Sequence, residues 1–146
     1  MNTTVESNTQ TLLELGMSHA HKESQVWLSE ITFWELELRF FQKLLAAHVN
    51  VSLDDEQERQ FRYFQQQLDH YKHELMGQFK HKVTAHEKYL AELLQEIGAH
   101  NVHDYRKVHG ELYSHIHAFE VEFQFFKRKL YDTMEKIIEQ KASNEI

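Results

Sequence analysis

Apolar residues recur along this chain at alternating steps of three and four positions, which is the spacing of one face of a helix. The most regular run lies in the last third and consists of Leu112, Ile116, Phe119, Phe123, Phe126, Leu130, Met134 and Ile137. A similar run nearer the N-terminus consists of Trp27, Ile31, Trp34, Leu38, Phe41 and Leu45. Side chains at this spacing share one stripe, so each run predicts a helix that packs against others as in a coiled coil.

A third run occupies the middle of the chain and consists of Phe61, Phe64, Leu68, Tyr71, Leu75, Phe79, Leu90, Leu93 and Ile97. Turn signals separate the three runs. Ser52 with Asp55 three residues later approximates a capping box, Gly98 is suited to end a helix, and Asn101 to cap the next one. The predicted helices cover about 18–48, 54–97 and 101–141.

Short turns between long helices make sequential neighbours antiparallel. We therefore predict an all-α fold, an antiparallel bundle of three long helices with heptad seams. Residues 1–16 are predicted as a short polar N-terminal tail, with Ser18 as the cap of the first helix, and residues 17–146 as a single helical-bundle domain. The first helix is then shorter than the other two and would not cover them completely.

Two further sets of apolar residues lie off these seams. A second apolar row lies beside the seam of the first helix and consists of Val26, Phe33, Phe40 and Leu44. The two rows together predict that this helix is buried over a wide arc. On the third helix, Val121 and Phe125 stand opposite the seam and are candidates for contact with a second subunit or a helical partner. The leading hypothesis is therefore a non-enzymatic protein that acts by association with itself or with another helical protein.

The composition narrows the remaining function classes. Proline is absent and glycine occurs four times, which favours long uninterrupted helices. Cysteine is absent, which excludes disulfides and thiolate metal sites. The net charge is −7 and the basic stretch Lys127–Lys129 is flanked by acids, so no nucleic-acid partner is expected. No signal-peptide pattern or membrane-length apolar run is present, and we expect a cytoplasmic protein that does not associate with membranes.

Twelve histidines are the chain's most unusual feature. With turns near residues 50 and 100, antiparallel pairing brings three sequence-distant pairs to one level of the bundle, namely His19/His21, His81/His86 and His115/His117. The helical wheel places His86 within the apolar face of the second helix and His115 at the edge of the third seam. These two are the strongest candidates to point inward.

Imidazole and carboxylate groups are the usual ligands of zinc, iron, manganese and nickel where thiolates are missing. The levels and rotations therefore predict a candidate divalent-metal site, the alternative function, formed by His21, His86, His115 and Glu111, with Glu87 and His19 as alternates. Two other interpretations stay open. His86 and His115 could be ordinary hydrogen-bonded core residues, or they could form a switch that responds to protons.

Glu30 and Glu37 fall within the buried arc of the first helix, one heptad apart. A buried carboxylate is costly unless it is paired, and Lys72 or Arg128 could reach Glu30. Two carboxylates can also serve acid–base chemistry. No nucleophile, phosphate loop or dinucleotide motif accompanies them, so the sequence identifies no reaction and favours a non-enzymatic protein.

The segments that carry a resemblance are Ala20-His21-Lys22-Glu23-Ser24-Gln25-Val26-Trp27-Leu28-Ser29-Glu30, Phe33-Trp34-Glu35-Leu36-Glu37, Phe64-Gln65-Gln66-Gln67 and the stretch from His81 to His86-Glu87. Together they resemble small bacterial helical proteins, and the resemblance implies a three-helix architecture without implying an activity. Characterised metal bundles are not matched. The chain lacks the Glu-x-x-His pairs of ferritin-like proteins and the His-x-x-x-His spacing of hemerythrins.

Overall fold

The computed structural model describes residues 2–48, 53–95 and 102–144, with side chains described from residue 16 onward except at position 74. Almost all of the described backbone is helical and none of it is strand, which confirms the predicted all-α class. The elements in chain order are α1 (Asn2–Ala47), α2 (Asp55–His70), a π-helical turn (Tyr71–Met76), α3 (Gly77–Gln95) and α4 (Val102–Asn144).

Side-chain pairs between the helices give their relative directions. From α1 to α2 and α3 the residue numbers run in opposite orders, in the pairs Gln42–Asp69, Glu35–Lys80 and His21–Glu87. They also run in opposite orders from α2 and α3 to α4, in the pairs Gln57–Gln140, Gln60–Thr133 and His86–His109. From α1 to α4 the order is the same, in the pairs Glu23–His109 and Glu37–Lys127. The middle segment therefore runs against the other two.

Every residue of the predicted runs in α1 and α4 is buried. The centre of this core is aromatic. The ring of Tyr71 meets Phe119, Phe123 and Phe126 edge to face, with centroids 5.3, 5.7 and 5.3 Å away. The Tyr71 hydroxyl donates a hydrogen bond to Glu122 at 3.2 Å, so the one polar atom of this ring is satisfied at the edge of the core.

The π-helical turn explains the irregular run in the middle of the chain. Buried positions follow steps of three and four up to Tyr71, and the next buried residue is Met76, five positions later. A π turn holds one residue more than an α turn, so it absorbs the extra position and keeps both parts of the stripe on one side. Leu75, predicted in the seam, is only partly buried, whereas Val83 and His86 continue the buried row.

The N-terminal boundary of the first helix was predicted wrongly. The helix begins at Asn2, so the predicted tail, residues 1–16, is helical from its second residue, and Ser18 lies inside the helix without capping it. Gly16 costs a helix about 1 kcal/mol relative to alanine, which is too little to stop it when no proline follows. With 46 residues in α1 and 43 in α4, the predicted mismatch in helix length is absent.

The capping box of the second helix begins two residues later than predicted. Asp54 is its N-cap: the Asp54 carboxylate accepts the backbone N–H of Gln57 at 2.7 Å, and the Gln57 side chain accepts the backbone N–H of Asp54 at 3.2 Å. The capping box is therefore Asp54 with Gln57. The predicted roles of Ser52, Gly98 and Asn101 fall outside the described residues.

The second apolar row of α1 is not buried as predicted. Val26, Phe33 and Phe40 are 54, 60 and 56% exposed, and only Leu44 packs partly against the core. In a bundle of three segments, each helix is covered on one side only. A second apolar row on α1 therefore stays exposed. None of the described helices is long and apolar enough to cross a membrane.

Candidate functional site

A layer of polar side chains interrupts the apolar core. On α1 the buried row passes from Ala20 through Ser24 to Trp27, on α3 from Val83 through His86 to Leu90, and on α4 from Tyr105 through His109 to Leu112. Each interruption therefore occupies a core position of its own helix. Contacts of His109 with His86 and with Glu23, the neighbour of Ser24, bring these three positions to one level of the bundle. At this level the core splits into two apolar clusters.

Two hydrogen bonds connect the three helices within this layer. The Nε2 atom of His86 lies 3.0 Å from Nδ1 of His109, and Nε2 of His109 lies 2.7 Å from a carboxylate oxygen of Glu23. His86 is 3% exposed, while the His109 and Glu23 side chains are 13 and 30% exposed. The hydrogen-bonded series Glu23–His109–His86 thus runs from the partly solvated surface of α1 into the core.

When both rings are neutral, the order of these groups assigns the position of each proton. A carboxylate can only accept, so Nε2–H of His109 donates to Glu23. In a neutral imidazole the other nitrogen then accepts, so Nε2–H of His86 donates to Nδ1 of His109. This leaves Nδ1 of His86 as an unprotonated lone pair at the inner end of the chain.

Aromatic rings hold both imidazoles in place. Tyr105 stacks on His86 with centroids 4.3 Å apart, and Trp27 stacks on His109 with centroids 4.6 Å apart. These contacts cover ring faces that would otherwise meet water, and they limit rotation of each imidazole about its hydrogen bond. The layer is therefore preorganised by packing as well as by polar contacts.

Burial and neighbouring charge shape the electrostatics of the layer. Burial, and then the neighbouring His109, lower the pKa of His86 to about 4, so that ring is neutral at pH 7. Burial, and then Glu87 and Glu23, raise the pKa of Tyr105 to about 12. Both pKa shifts correspond to a favoured neutral side chain, as expected where polar groups lie between apolar clusters.

Four buried side-chain atoms lack a hydrogen-bond partner among the described residues, and all four belong to this layer. They are Ser24 Oγ, His86 Nδ1, Glu87 Oε1 and the Tyr105 hydroxyl. Buried polar atoms are normally satisfied, and each exception costs free energy. The layer is therefore polar without being fully paired, unlike the Tyr71–Glu122 contact further along the core.

The predicted metal-site residues are only partly gathered by the fold. His86 is buried as predicted, whereas His115 and Glu111 are exposed on α4 and border a groove of about 510 Å³ with His86. His21 lies elsewhere, in contact with the alternate residue Glu87 on α3.

The other alternate, His19, borders a separate cavity of about 170 Å³ with Glu23, Tyr105 and His109. Among the residues that the structure describes, no three or more histidine or acidic side chains are grouped to hold a metal ion. The divalent-metal hypothesis therefore stays a prediction from the sequence.

Sequence reasoning missed His109, which is the central residue of the layer. A signal for it was present, because stepping back three residues from Leu112 gives His109 and four more give Tyr105, both on the seam of α4. The predicted seam began at Leu112 and therefore omitted both. Levels based on equal rise placed His115 opposite His86, one and a half turns from the histidine that meets it.

Of the two carboxylates predicted within the buried arc of α1, Glu37 forms an ion pair. Lys127 donates to both oxygens of Glu37, at 3.1 and 3.4 Å, and its ammonium lies 4.8 Å from the ring centroid of Phe123. Partial burial, and then Glu120, raise the pKa of Glu30. Lys72 and Arg128, the predicted partners of Glu30, are both exposed.

Chemically, the layer can take up a proton and pass it along hydrogen bonds between His86, His109 and Glu23. Its innermost atom, Nδ1 of His86, is enclosed and does not open onto either the groove or the cavity. These properties fit a group that titrates within the fold better than one that meets a substrate. No protein-family model, curated protein or solved structure matches this chain.

Proposed function

We propose that this protein acts by association with a second helix, and that the outer face of α1 is the surface this helix covers. The observation that carries the proposal is a second stripe with steps of three and four, formed by Val26, Ser29, Phe33, Leu36 and Phe40. Its four apolar members are 54, 60, 50 and 56% exposed.

Exposed apolar residues that stand alone are ordinary and need no explanation. These residues differ because they repeat along one helix at the spacing by which two helices pack as a coiled coil. Burying a Phe, Leu or Val side chain completely contributes about 1.5–3 kcal/mol. A helix that covered Phe33, Leu36 and Phe40 would therefore gain enough to offset part of the cost of association.

The inner face of α1 is already occupied. Its seam from Trp27 to Leu45 packs within the bundle, and Glu23 and Glu37 on its flank are engaged by His109 and Lys127. The outer stripe is the part of α1 that the bundle leaves for another helix. A second copy of the chain is the partner we favour, since α1 itself is a helix with the required repeat.

Val121 and Phe125 on α4 form a smaller candidate surface. They are 43 and 60% exposed and lie one turn apart. This pair covers a single turn, whereas the stripe on α1 extends over four, from Val26 to Phe40. We therefore place the main contact on α1 and treat the α4 pair as the surface to compare.

Molar mass in solution tests the proposal. By light scattering the unmodified chain should exceed the 17.6 kDa of one copy, and Phe33→Glu should return it to that mass. Phe125→Glu should leave the larger mass unchanged. Gln65→Glu, at an exposed position of α2, adds the same charge away from both surfaces and should also have no effect.

Two results would contradict the proposal. A mass of 17.6 kDa at every soluble concentration would exclude self-association. Dissociation by Phe125→Glu but not by Phe33→Glu would move the contact to α4. Far-ultraviolet circular dichroism of each variant separates loss of contact from loss of the fold.

A further inference from the structure

The polar layer divides the apolar core into unequal parts. On one side lies the main cluster, which spans α1 from Trp27 to Leu45 and α4 from Leu112 to Ile137. On the other side lies a small cluster whose buried members are Met17, Ala20, Leu90, Leu93 and Tyr105. Hydrophobic stabilisation grows with the area buried, so the small cluster can separate at lower cost than the main one.

The two imidazoles of the layer can gain a proton at a single atom. One N–H already lies between His109 and Glu23, and one between His86 and His109. The vacant lone pair is Nδ1 of His86, so an added proton produces an N–H there, whichever of the two rings carries the charge. That atom is buried and has no acceptor in the part of the chain that the structure describes, so the new N–H is unsatisfied while the layer is closed.

Charged and titratable groups reach the layer from all three segments. Those that border the layer are His19, His21 and Glu23 on α1, Glu87 on α3, and Tyr105, Arg106 and His109 on α4. The groove outside His86 carries His81, Lys82, Glu111 and His115. Glu23 accepts from His109, and one oxygen of Glu87 pairs with His21. Among the residues that the structure describes, no acceptor lies within hydrogen-bond distance of Nδ1 of His86, so a proton there gains no new hydrogen bond while the end stays closed.

We propose that this layer is a pH-dependent switch, which on acidification releases the end of the bundle that holds the small cluster while the main core stays packed. Opening exposes Nδ1 of His86 to water, so the open end binds the proton more tightly than the closed one does. Proton uptake and opening then favour each other by linkage. Acid exposes apolar residues of the small cluster, including Leu90 and Leu93.

Hydrogen exchange followed by mass spectrometry tests the switch directly. We expect the opening constant of peptides covering 86–94 and 103–109, corrected for intrinsic exchange, to rise roughly 40-fold between pH 6.5 and 4.5. Peptides covering 61–68 and 123–130 should change much less. His86→Leu should remove the rise, whereas His115→Leu, which alters an exposed histidine of the same groove, should keep it.

An equal rise in all four peptides would mean that the whole bundle loosens together, and a rise that survives His86→Leu would remove His86 from the proposal. Either result overturns the proposed switch.

A second readout serves if His86→Leu does not fold. The chain has two tryptophans, and Trp27 stacks on His109 whereas Trp34 packs on Phe119 deeper in the main core. Acid should quench and red-shift Trp27 emission in Trp34→Phe but leave Trp34 emission unchanged in Trp27→Phe, and equal changes would contradict the switch.

Discussion

The imidazole of His86 lies almost flat on the phenol ring of Tyr105, with centroids 4.3 Å apart and ring planes 7° from parallel. Both residues come from core positions of their helices, and each carries a buried polar atom that has no partner within residues 2–48, 53–95 and 102–144. The stack joins α3 to α4 by ring contact, while the hydrogen bond from His86 to His109 joins the same helices one turn away. Packing therefore keeps together two groups whose polar atoms oppose burial.

Removing the Tyr105 hydroxyl should stabilise the fold. This hydroxyl is buried and has no partner among the described residues, so Tyr105→Phe keeps the ring stack and relieves a desolvation cost of about 1–3 kcal/mol. Tyr71→Phe is the matched comparison, because the Tyr71 hydroxyl donates to Glu122 and its loss should destabilise by about 1 kcal/mol. Urea unfolding of both variants measures the difference. Destabilisation by Tyr105→Phe would show that its hydroxyl has a partner in solution.

Stability should fall with pH below 6.5. The pKa of His86 is lowered to about 4 in the fold, so between these values the unfolded chain binds a proton that the folded chain does not. The free energy of unfolding has its full value above pH 6.5 and falls progressively down to pH 4, where the loss reaches about 3 kcal/mol. His86→Gln should flatten this part of the profile measured by urea unfolding. The exposed His115→Gln should not, and equal flattening by both would assign the effect to surface charge.

The ion pair between Glu37 and Lys127 should matter mainly when one member is missing. Both side chains are largely covered, at 15 and 23% exposure, so Lys127→Met leaves a carboxylate without its donor and should cost about 1–3 kcal/mol. The double variant Glu37→Leu with Lys127→Met should recover most of that loss. A double-mutant cycle by thermal unfolding measures the coupling. Additive effects of the two changes would show that the pair is solvated.

The fold class and most of the core could be read from spacing alone, because the buried apolar positions from Trp27 to Leu45 in α1 and from Leu112 to Ile137 in α4 follow steps of three and four. The start of α1 could not, since polar residues neither require a helix nor prevent one. Exposure of Phe33 was equally hidden: the same spacing describes a stripe covered by the bundle and a stripe left for another chain. The spacing of apolar residues shows that a helix face is apolar, but it does not show which helix or partner covers that face.

The histidine layer was predicted in part. His86 was identified because it continues an apolar row, and His109 obeys the same rule on α4 but lies beyond the point where the predicted seam began. Its true partner depends on the relative shift of α3 and α4, and the π-helical turn adds a residue that equal-rise pairing does not anticipate. Sequence spacing therefore identified His86 as buried but did not identify the residue that contacts it.

Deleting one residue from the π-helical turn should be tolerated, although deletions within helices usually are not. The step from Tyr71 to Met76 is one residue longer than the seam requires, so deleting the exposed Lys72 converts the π turn to an α turn. Both parts of the buried stripe then stay in register. Deleting the exposed Gln66 in α2 instead rotates everything before it by about 100° relative to the rest, which turns Phe61 and Phe64 out of the core.

Thermal unfolding followed by circular dichroism separates the two deletions. Without Lys72 the melting temperature should change by only a few degrees, since no buried contact is lost, whereas loss of Gln66 should abolish cooperative unfolding or lower the midpoint strongly. Equal damage from both deletions would mean that the π turn itself is required, for instance to aim the Tyr71 hydroxyl at Glu122. In that case Tyr71→Phe should make the Lys72 deletion harmless again, because the hydrogen bond that the turn serves would already be absent.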